Sequence, residues 1–339
     1  MKYRVAINGY GRIGQGVLRG LYQNGRRADF ELAAINELAG IDTLAYLTRY
    51  DTTHGRFPFQ VRQDGDFLFI GDDAIRILCE KEPEKLPWQN LGVDLLFECS
   101  GSFHDRLTAE KHIRAGAGKV LISHPASEDV DATIVYGYNH QLLNSGQTIV
   151  SNASCTTNCI IPVLHELDQA FGIDHGLITT VHSAMNDQPV IDSYHNTNLR
   201  LTRSAMQSII PVDTSLGRGI GRIMPHLAGC FECLHLRVPT INVSMMDLSV
   251  RLGKKTTAAE VNALFEAAAS QKPGLIALTL EPHASVDFNQ DLHSCIVDGT
   301  QTRVSGGQLV KMICWFDNEW AFANRMLDVG LYWLGAASE

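Results

Sequence analysis

The sequence lacks features that would place it in several large classes of protein. No uninterrupted apolar run approaches the roughly 18 residues that a membrane-spanning helix needs. Basic residues are in deficit, with 28 Lys and Arg against 37 Asp and Glu, and the net charge is −9. A nucleic-acid-binding surface needs a basic patch, so we expect neither a nucleic-acid partner nor a membrane partner.

Cysteine is also scarce, and the sequence shows no internal repeat and no low-complexity linker. Eight cysteines are spread over 339 residues, mostly within apolar runs, unlike the framework of a disulfide-rich secreted protein. We expect them to be reduced thiols. The first residues lead directly into a strand-like run and a glycine turn, which leaves no space for a signal peptide, so we expect a cytoplasmic location.

The first 150 residues alternate between short apolar runs and segments with helical spacing. This alternation predicts an N-terminal Rossmann-like α/β domain with a doubly wound, mostly parallel sheet. The candidate strands are residues 3–8, 30–37, 95–101 and 119–125, and the candidate helices are residues 12–25 and 105–117.

The pattern changes after residue 150. Long strand-like stretches over 176–185 and 233–252, together with an amphipathic helix over 256–271, predict an α+β domain with a largely antiparallel sheet. A last helical pattern closes the chain. The predicted domains are therefore 1–153, 154–317 and a C-terminal helix within 318–339 that returns to the first domain.

A glycine motif lies between the first predicted strand and the first predicted helix. Gly9, Gly11 and Gly14 have the G-x-G-x-x-G spacing that lets a pyrophosphate approach a helix N-terminus. Glu37 lies at the end of the second predicted strand, where a carboxylate binds an adenosine ribose 2′-OH and repels a 2′-phosphate. The motif therefore predicts NAD rather than NADP, against the plainer interpretation that these glycines only form turns.

The stretch SNASCTTNC places Cys155 among small polar residues at the start of a predicted helix. Ser154 is a candidate N-cap, and a thiol in the first helical turn is at the positive end of the dipole, which favours thiolate. The neighbouring hydroxyl and backbone N–H groups could bind an anion. Cys155 is therefore a candidate nucleophile and Cys159 a structural thiol, although two ordinary buried thiols would also fit this local sequence.

A nucleophilic cysteine needs a base, and His182 is the candidate. It lies in a strand-like run of small and β-branched residues, where an imidazole has little reason to pack, although a structural histidine would also fit. The rival feature is HLAGCFECLHLR, whose Cys and His residues could suggest zinc. Its single C-x-x-C matches no closed four-ligand spacing, so we expect no metal, and strand periodicity places Cys233, His235 and Arg237 on one face.

With these residues identified, the chain resembles the glyceraldehyde-3-phosphate dehydrogenase family from end to end. The matching motifs are INGYGRIG, YDTTHGRF, SNASCTTNC, SIIPVDT, LRVPTINV and DNEWAFANRM. Several of them, with INEL and HSAMNDQ, are most similar to the D-erythrose-4-phosphate dehydrogenase branch, which serves pyridoxal 5′-phosphate synthesis.

The resemblance implies a homotetramer of two-domain subunits that oxidise a sugar-phosphate aldehyde with NAD. It implies that Cys155 is the nucleophile, that His182 activates its thiol and that Asn318 holds the nicotinamide carboxamide. The remaining implied positions are Arg12 and Ile13, whose backbone lies on the cofactor pyrophosphate, then Ser154, Thr156, Thr214 and Arg237, which handle anionic substrate oxygens, and Asp187, a polar position nearby.

Two positions depart from the phosphorylating members of the family. Met185 stands where they usually carry a threonine, and Leu201 stands where they usually carry a second consecutive arginine. Arg200 is a candidate for the vacant place, because its loop, residues 195–203, is one residue longer than usual.

Three hypotheses follow. The first is oxidation of D-erythrose 4-phosphate with release by water, and the second is phosphorylating glyceraldehyde-3-phosphate dehydrogenase. The third is an NAD-binding regulatory protein without catalysis, which the presence of nucleophile, base and nicotinamide-binding residues disfavours.

Overall fold

The structure is a computed structural model that describes residues 2–195 and 198–336. Two compact units are present, one formed by residues 1–154 and 322–339 and the other by residues 155–321. Two parts of the predicted segments lie outside the described residues. They are residues 337–339 of the C-terminal range and residues 196 and 197 of the loop 195–203. The domain bounds predicted from the sequence, 1–153, 154–317 and 318–339, remain predictions.

The first unit contains a nine-stranded sheet, counted over the described residues, in the order β10-β11-β9-β8-β1-β2-β7-β6-β5. Pairing is parallel from β10 to β7 and antiparallel from β7 to β5. Its strands are β1 (Tyr3–Asn8), β2 (Phe30–Asn36), β5 (Val61–Asp64), β6 (Phe67–Ile70), β7 (Asp73–Leu78), β8 (Leu95–Glu98), β9 (Lys119–Ile122), β10 (Ala132–Thr133) and β11 (Ile149–Ser151), and a separate two-stranded ladder joins β3 (Tyr50–Asp51) to β4 (Gly55–Arg56).

The helices of this unit are α1 (Arg12–Gln23), α2 (Ile41–Arg49), α3 (Trp88–Leu91) and α4 (Arg106–Arg114). The sheet begins at β1 in its centre, and the chain continues to β2 on one side and later to β8 on the other. This reversal of strand order is a topological switch point, and in open α/β sheets ligands bind beyond the carboxyl ends of the strands at such a point. The Rossmann-like sheet predicted for the first domain is confirmed.

The second unit contains a mixed, largely antiparallel sheet of eight strands within the described residues, in the order β13-β14-β12-β15-β19-β17-β16, with β18 on β19. Its strands are β12 (Ile173–His182), β13 (Ile210–Val212), β14 (Phe231–Arg237), β15 (Ser244–Leu252), β16 (Ile276–Thr279), β17 (Cys295–Asp298), β18 (Arg303–Ser305) and β19 (Leu309–Phe316). Its helices are α5 (Cys155–Phe171), α6 (Leu216–Ile223) and α7 (Ala258–Gln271), and the chain ends with α8 (Trp320–Ala336).

One prediction about this sheet is wrong. The stretch 233–252 is not one long strand but two, β14 and β15, which pair with opposite edges of β12. Pro239 cannot donate a ladder hydrogen bond, and Val243 has a φ of 64°, a left-handed conformation that ends a strand. The strand pattern was correct for the residues on either side of this turn.

Candidate active site

The glycines of the turn between β1 and α1 have three different steric roles. Gly9 has a φ of 88°, and a Cβ there would lie 2.5 Å from the backbone of Ser100. A Cβ on Gly14 would lie 2.1 Å from the carbonyl oxygen of Gly9, so only glycine lets α1 start so close to the turn. A Cβ on Gly11 would meet nothing within 4 Å. Gly11 is therefore the position where the backbone faces open space.

This turn borders a cavity of about 460 Å³ in the first unit. Gly11 is the N-cap of α1, no described side chain caps this helix, and its first turn contains no acidic residue. The positive end of the helix dipole at this cavity suits a phosphate group. The residues present thus fit the pyrophosphate of a dinucleotide at the switch point. The lining residues include Asn8, Gly9, Gly11, Asn36, Glu37, Ser100 and Phe103.

Glu37 is fixed at the edge of this cavity by two backbone groups. One carboxylate oxygen accepts a hydrogen bond from the N–H of Tyr10 at 2.7 Å, and the other accepts from the N–H of Leu38 at 2.7 Å. Each oxygen keeps a lone pair that can accept from a ribose hydroxyl, and the fixed negative charge disfavours a 2′-phosphate. This geometry suits the role that the sequence predicted for Glu37.

The side chain of Arg12, at the first position of α1, is held by the YDTTHGRF segment. Its two Nη atoms donate to the two carboxylate oxygens of Asp51 at 2.8 and 3.2 Å, and Nη2 lies 3.3 Å from Nδ1 of His54. Burial alone would raise the pKa of Asp51, but hydrogen bonds from the His54 side chain, from Arg12 and from the His54 backbone hold it well below its usual range. The sequence identified this motif only as a family marker, and its contribution is to anchor the start of α1.

The turn that precedes Cys155 has a strained backbone. Ala153 is buried and has a φ of 57°, a left-handed conformation that costs a non-glycine residue about 1 to 2 kcal/mol. The Ser151 hydroxyl accepts from the N–H of Ala153 at 3.1 Å and donates to the carbonyl of His124 at 2.7 Å. Helix α5 then begins at Cys155 itself, so Ser154 holds the N-cap position, as predicted from its place in the sequence.

Cys155 and His182 lie together, with Sγ 3.7 Å from Nε2. The other ring nitrogen, Nδ1, lies 2.8 Å from the carbonyl oxygen of Ser183. A carbonyl oxygen can only accept, so Nδ1 carries the proton and, in the neutral ring, Nε2 is the acceptor that faces the thiol. This is the tautomer that a general base for Cys155 requires.

The protein environment works against separate charges on this pair. Burial raises the pKa of the Cys155 thiol to about 12, opposed by the backbone N–H groups of Thr156 and Cys155, and burial also lowers the pKa of His182. The helix terminus therefore favours the thiolate, as expected, but burial outweighs it for the thiol alone. Proton transfer from Sγ to Nε2 creates both charges together, and their attraction, about 4 to 5 kcal/mol at an effective dielectric constant near 20, offsets part of that cost.

Arg237 lies beside His182 on the neighbouring strand. The register of β12 and β14 pairs His182 with Arg237 directly, and the Arg237 guanidinium pairs with the Asp187 carboxylate. Nε of Arg237 is buried and has no hydrogen-bond partner among the described residues. The two predicted positions Asp187 and Arg237 are thus brought to the Cys155–His182 pair, where a guanidinium can bind an anionic oxygen.

The other predicted anion-binding positions differ in their placement. Thr156 is buried in the first turn of α5. Thr214 is half-buried before α6, and its hydroxyl accepts from the N–H of Leu216 at 3.2 Å. Arg200 is exposed, and its side chain has no hydrogen bond or ion pair with the described residues. The structure therefore shows no contact that brings Thr214 or Arg200 to Cys155.

Asn318 is buried, and two hydroxyl groups set the direction of its amide. Its oxygen accepts from the Ser183 hydroxyl at 3.1 Å and from the Ser244 hydroxyl at 2.8 Å, while the Ser244 oxygen accepts from the N–H of Ser183 at 3.2 Å. This arrangement directs the NH₂ of Asn318 away from both serines, as a donor to a carboxamide oxygen requires. Sequence reasoning identified Asn318 but missed both serines, since nothing in their local pattern marks them.

Asp317, the residue before Asn318, is hydrogen-bonded to the backbone that follows and to two other segments. Its carboxylate accepts from the N–H of Trp320 at 2.7 Å, at the start of α8, and from the N–H of Gln290 and the side-chain amide of Asn242, both at 2.8 Å. Gln290 has a positive φ of 66°. Backbone strain of this kind persists only where the surroundings fix it, and it is common at functional sites.

The segment considered for zinc has other contacts. His226 lies 2.8 Å from the carboxylate of Asp168. Cys233, His235 and Arg237 face Ile178, Thr180 and His182 in the β12–β14 register, which confirms that these three share one face. The described residues contain no group of three or more His, Cys, Asp or Glu side chains arranged to hold a metal ion.

Two family models match the chain. Residues 3–106 match the NAD binding domain of glyceraldehyde 3-phosphate dehydrogenase, and residues 154–318 match the C-terminal domain of the same enzyme. Together they cover most of the sequence. The chain belongs to the glyceraldehyde-3-phosphate dehydrogenase family. It is accordingly an NAD-dependent oxidoreductase that acts on the aldehyde group of a sugar phosphate, and its first unit contains the family's NAD-binding domain.

The expected cofactor, NAD, is confirmed at the level of the family, and so is the expected class of enzyme. No helix among the described residues is both long and apolar enough to cross a membrane.

Proposed function

We propose that this chain oxidises D-erythrose 4-phosphate to 4-phospho-D-erythronate and that water, rather than inorganic phosphate, releases the acyl group from Cys155. By resemblance, the proposal extends to a role in pyridoxal 5′-phosphate synthesis and a homotetrameric assembly, and it includes the cytoplasmic location expected from the sequence.

The proposed chemistry assigns a step to each residue of the cluster. The Cys155 thiol transfers its proton to His182, the thiolate adds to the aldehyde carbon, and His182 returns the proton to the carbonyl oxygen, which gives a thiohemiacetal. His182 then removes the hydroxyl proton of this thiohemiacetal while a hydride leaves the same carbon. Bound NAD supplies the acceptor for that hydride. The product is a thioester on Cys155, which water cleaves to the free acid. Asn318 donates to the nicotinamide carboxamide, and Arg237 binds an anionic substrate oxygen.

The burial of Leu201 is the main observation that favours release of the acyl group by water rather than by inorganic phosphate. Leu201 is only 8% exposed, within a short helical turn over Leu199–Thr202, so this position supplies neither a guanidinium nor space for one. An arginine contact to phosphate contributes about 1.5 to 3 kcal/mol, so its loss weakens phosphate binding by about one to two orders of magnitude.

A second position supports the same choice. Met185 is 45% exposed and carries a thioether where phosphorylating relatives usually have a hydroxyl donor. Arg203, the other arginine of this segment, pairs with Asp192 at 2.9 Å. The two positions that the resemblance assigns to phosphate binding therefore supply neither a hydroxyl donor, at Met185, nor a positive charge, at Leu201.

The decisive experiment measures initial NADH formation with erythrose 4-phosphate and with glyceraldehyde 3-phosphate, each with and without inorganic phosphate. We expect faster turnover of the four-carbon sugar and little dependence on phosphate. Phosphate-dependent preference for the triose would contradict the proposal and support the phosphorylating alternative. Cys155→Ser serves as the blank, because serine lacks the thiolate and should lose nearly all NADH formation.

A matched pair of variants at Met185 sharpens this test. Met185→Thr introduces a hydroxyl. Met185→Val introduces a side chain of nearly the same shape as threonine but without the hydroxyl. Both changes are at a partly exposed position. We expect Met185→Thr, and not Met185→Val, to raise phosphate-dependent release by about threefold to tenfold, which is the value of one hydrogen bond. Equal responses of the two variants would argue against a phosphate-binding role for this position.

A further inference from the structure

The base of the Cys155 cluster has a second imidazole stacked against it. The rings of His182 and His235 have centroids 5.1 Å apart and planes 26° apart. Strands β12 and β14 run parallel, with Thr180 opposite His235 and His182 opposite Arg237, so the two histidines are diagonal neighbours on one face. The contact is therefore set by strand register.

His235 is in a surrounding that keeps its ring uncharged. Burial lowers its pKa to about 3, with further lowering from His182 and from Arg237, and Asp187 acts in the opposite direction. Strand β13, which pairs with β14 on its other side, consists of Ile210–Val212 and has no titratable side chain. Helix α6 also packs against β14, and its titratable side chains are Arg218, which is exposed, and Arg222, which is partly buried.

A hydrogen bond at Nε2 does not explain why the His235 ring lies beside His182. That nitrogen is buried and has no partner among the described residues. A buried polar atom without a partner costs about 1 to 3 kcal/mol, so this nitrogen does not explain why the ring lies here. The ring face toward His182 is the contact that the fold provides.

We propose that His235 is a positioning residue for His182: its ring is the wall against which the His182 ring stacks, so that Nε2 of His182 stays directed at Sγ of Cys155. This inference rests on the proposed role of His182 as the base. The stack also covers one face of the His182 ring, and burial is the main cause of the lowered pKa of His182. Removal of the wall should admit water and raise that pKa toward its ordinary value of 6.5.

Two substitutions distinguish the effect of the stacked ring from the effect of its nitrogens. His235→Ala removes both, whereas His235→Phe keeps a flat ring and removes only the nitrogens. The readouts are kcat and kcat/KM for the aldehyde between about pH 5 and 9, together with thermal melting to show that each variant folds. A group that must be unprotonated for catalysis sets the acid limb of the kcat profile, and here that group is His182.

We expect His235→Ala to lower kcat by about tenfold, with a much smaller change in KM, and to move the acid limb to higher pH by about half a unit. His235→Phe should stay within about threefold of the original chain and keep the acid limb. An unchanged kcat and pH profile in a folded His235→Ala would overturn the inference. A His235→Phe variant as impaired as His235→Ala would also overturn it, since the nitrogens and not the stack would then matter.

A third variant distinguishes failure of this inference from failure of the proposed function. His182→Asn should lose nearly all NADH formation if His182 is the base. If it does so while His235→Ala matches the original chain, only the inference about His235 is wrong. If His182→Asn retains activity, the proposed mechanism itself is wrong.

Discussion

One edge of the cavity in the first unit is the backbone of a single short turn, whereas the cluster around Cys155 consists of side chains from separate segments. Gly9, Gly11 and Gly14 lie within six residues of one another, so a motif search finds them together. His182 and Arg237 come together only because β12 pairs with β14. A site built by local backbone can be predicted from contiguous sequence, while a site built by register depends on the sheet.

The largest effect that tests this comparison is expected in the glycine turn. Gly9→Ala puts a Cβ 2.5 Å from the Ser100 backbone at a positive φ, so we expect a loss of about 2 to 4 kcal/mol of stability and weak NAD binding. Gly11→Ala is the matched variant, since its φ of −72° suits alanine and its Cβ would enter open space. It should keep the unfolding free energy and raise the Kd for NAD by about tenfold or more.

Urea unfolding and NAD titration by fluorescence separate these two effects. The comparison would break if Gly11→Ala bound NAD normally, because the backbone at that position would then not approach the cofactor. It would also break if Gly9→Ala unfolded at the same urea concentration as the original chain.

The sequence predicted the parts of both sites that depend on local chemistry. The glycine turn and Glu37 could be predicted from residue type and position, whereas Cys155 and His182 were candidates with structural roles left open, and their 3.7 Å contact is found in the folded chain. The split of 233–252 into β14 and β15 was missed, because alternation continues across Pro239 and the left-handed conformation of Val243 is invisible in the pattern. Contacts between distant side chains, such as the ion pair between Arg12 and Asp51, are seen only in the folded chain.

A smaller effect is expected where the first unit does use side chains. The pKa of Asp51 in the folded protein lies below its ordinary value of 3.8, so its carboxylate stabilises the fold above about pH 4 and this contribution is lost as the pH falls below that value. Asp51→Asn should therefore reduce stability by about 1 to 3 kcal/mol near neutral pH and by progressively less in acid. The measurement is the urea midpoint at several pH values.

Asp64→Asn is the control for that measurement, because Asp64 is an exposed aspartate at the end of β5. It should leave the midpoint within about 0.5 kcal/mol at every pH. A difference between Asp51→Asn and the original chain that stayed constant from neutral to acid pH would show that the lost stability does not come from the carboxylate charge.

The smallest effect is expected at the serines that orient Asn318, which come from separate segments of the second unit. Ser244→Ala removes the 2.8 Å hydrogen bond to the Asn318 oxygen and leaves the Ser183 hydroxyl, at 3.1 Å, to orient the amide by itself. One hydrogen bond contributes about 0.5 to 1.5 kcal/mol, so kcat should fall by about twofold to tenfold while KM for the aldehyde stays the same. Ser249→Ala, on the same strand but five residues further along and on its opposite face, should have no such effect, because its hydroxyl contacts Lys311 instead. A rise in KM for the aldehyde with unchanged kcat in Ser244→Ala would mean that this hydroxyl acts on the substrate and not on the orientation of Asn318.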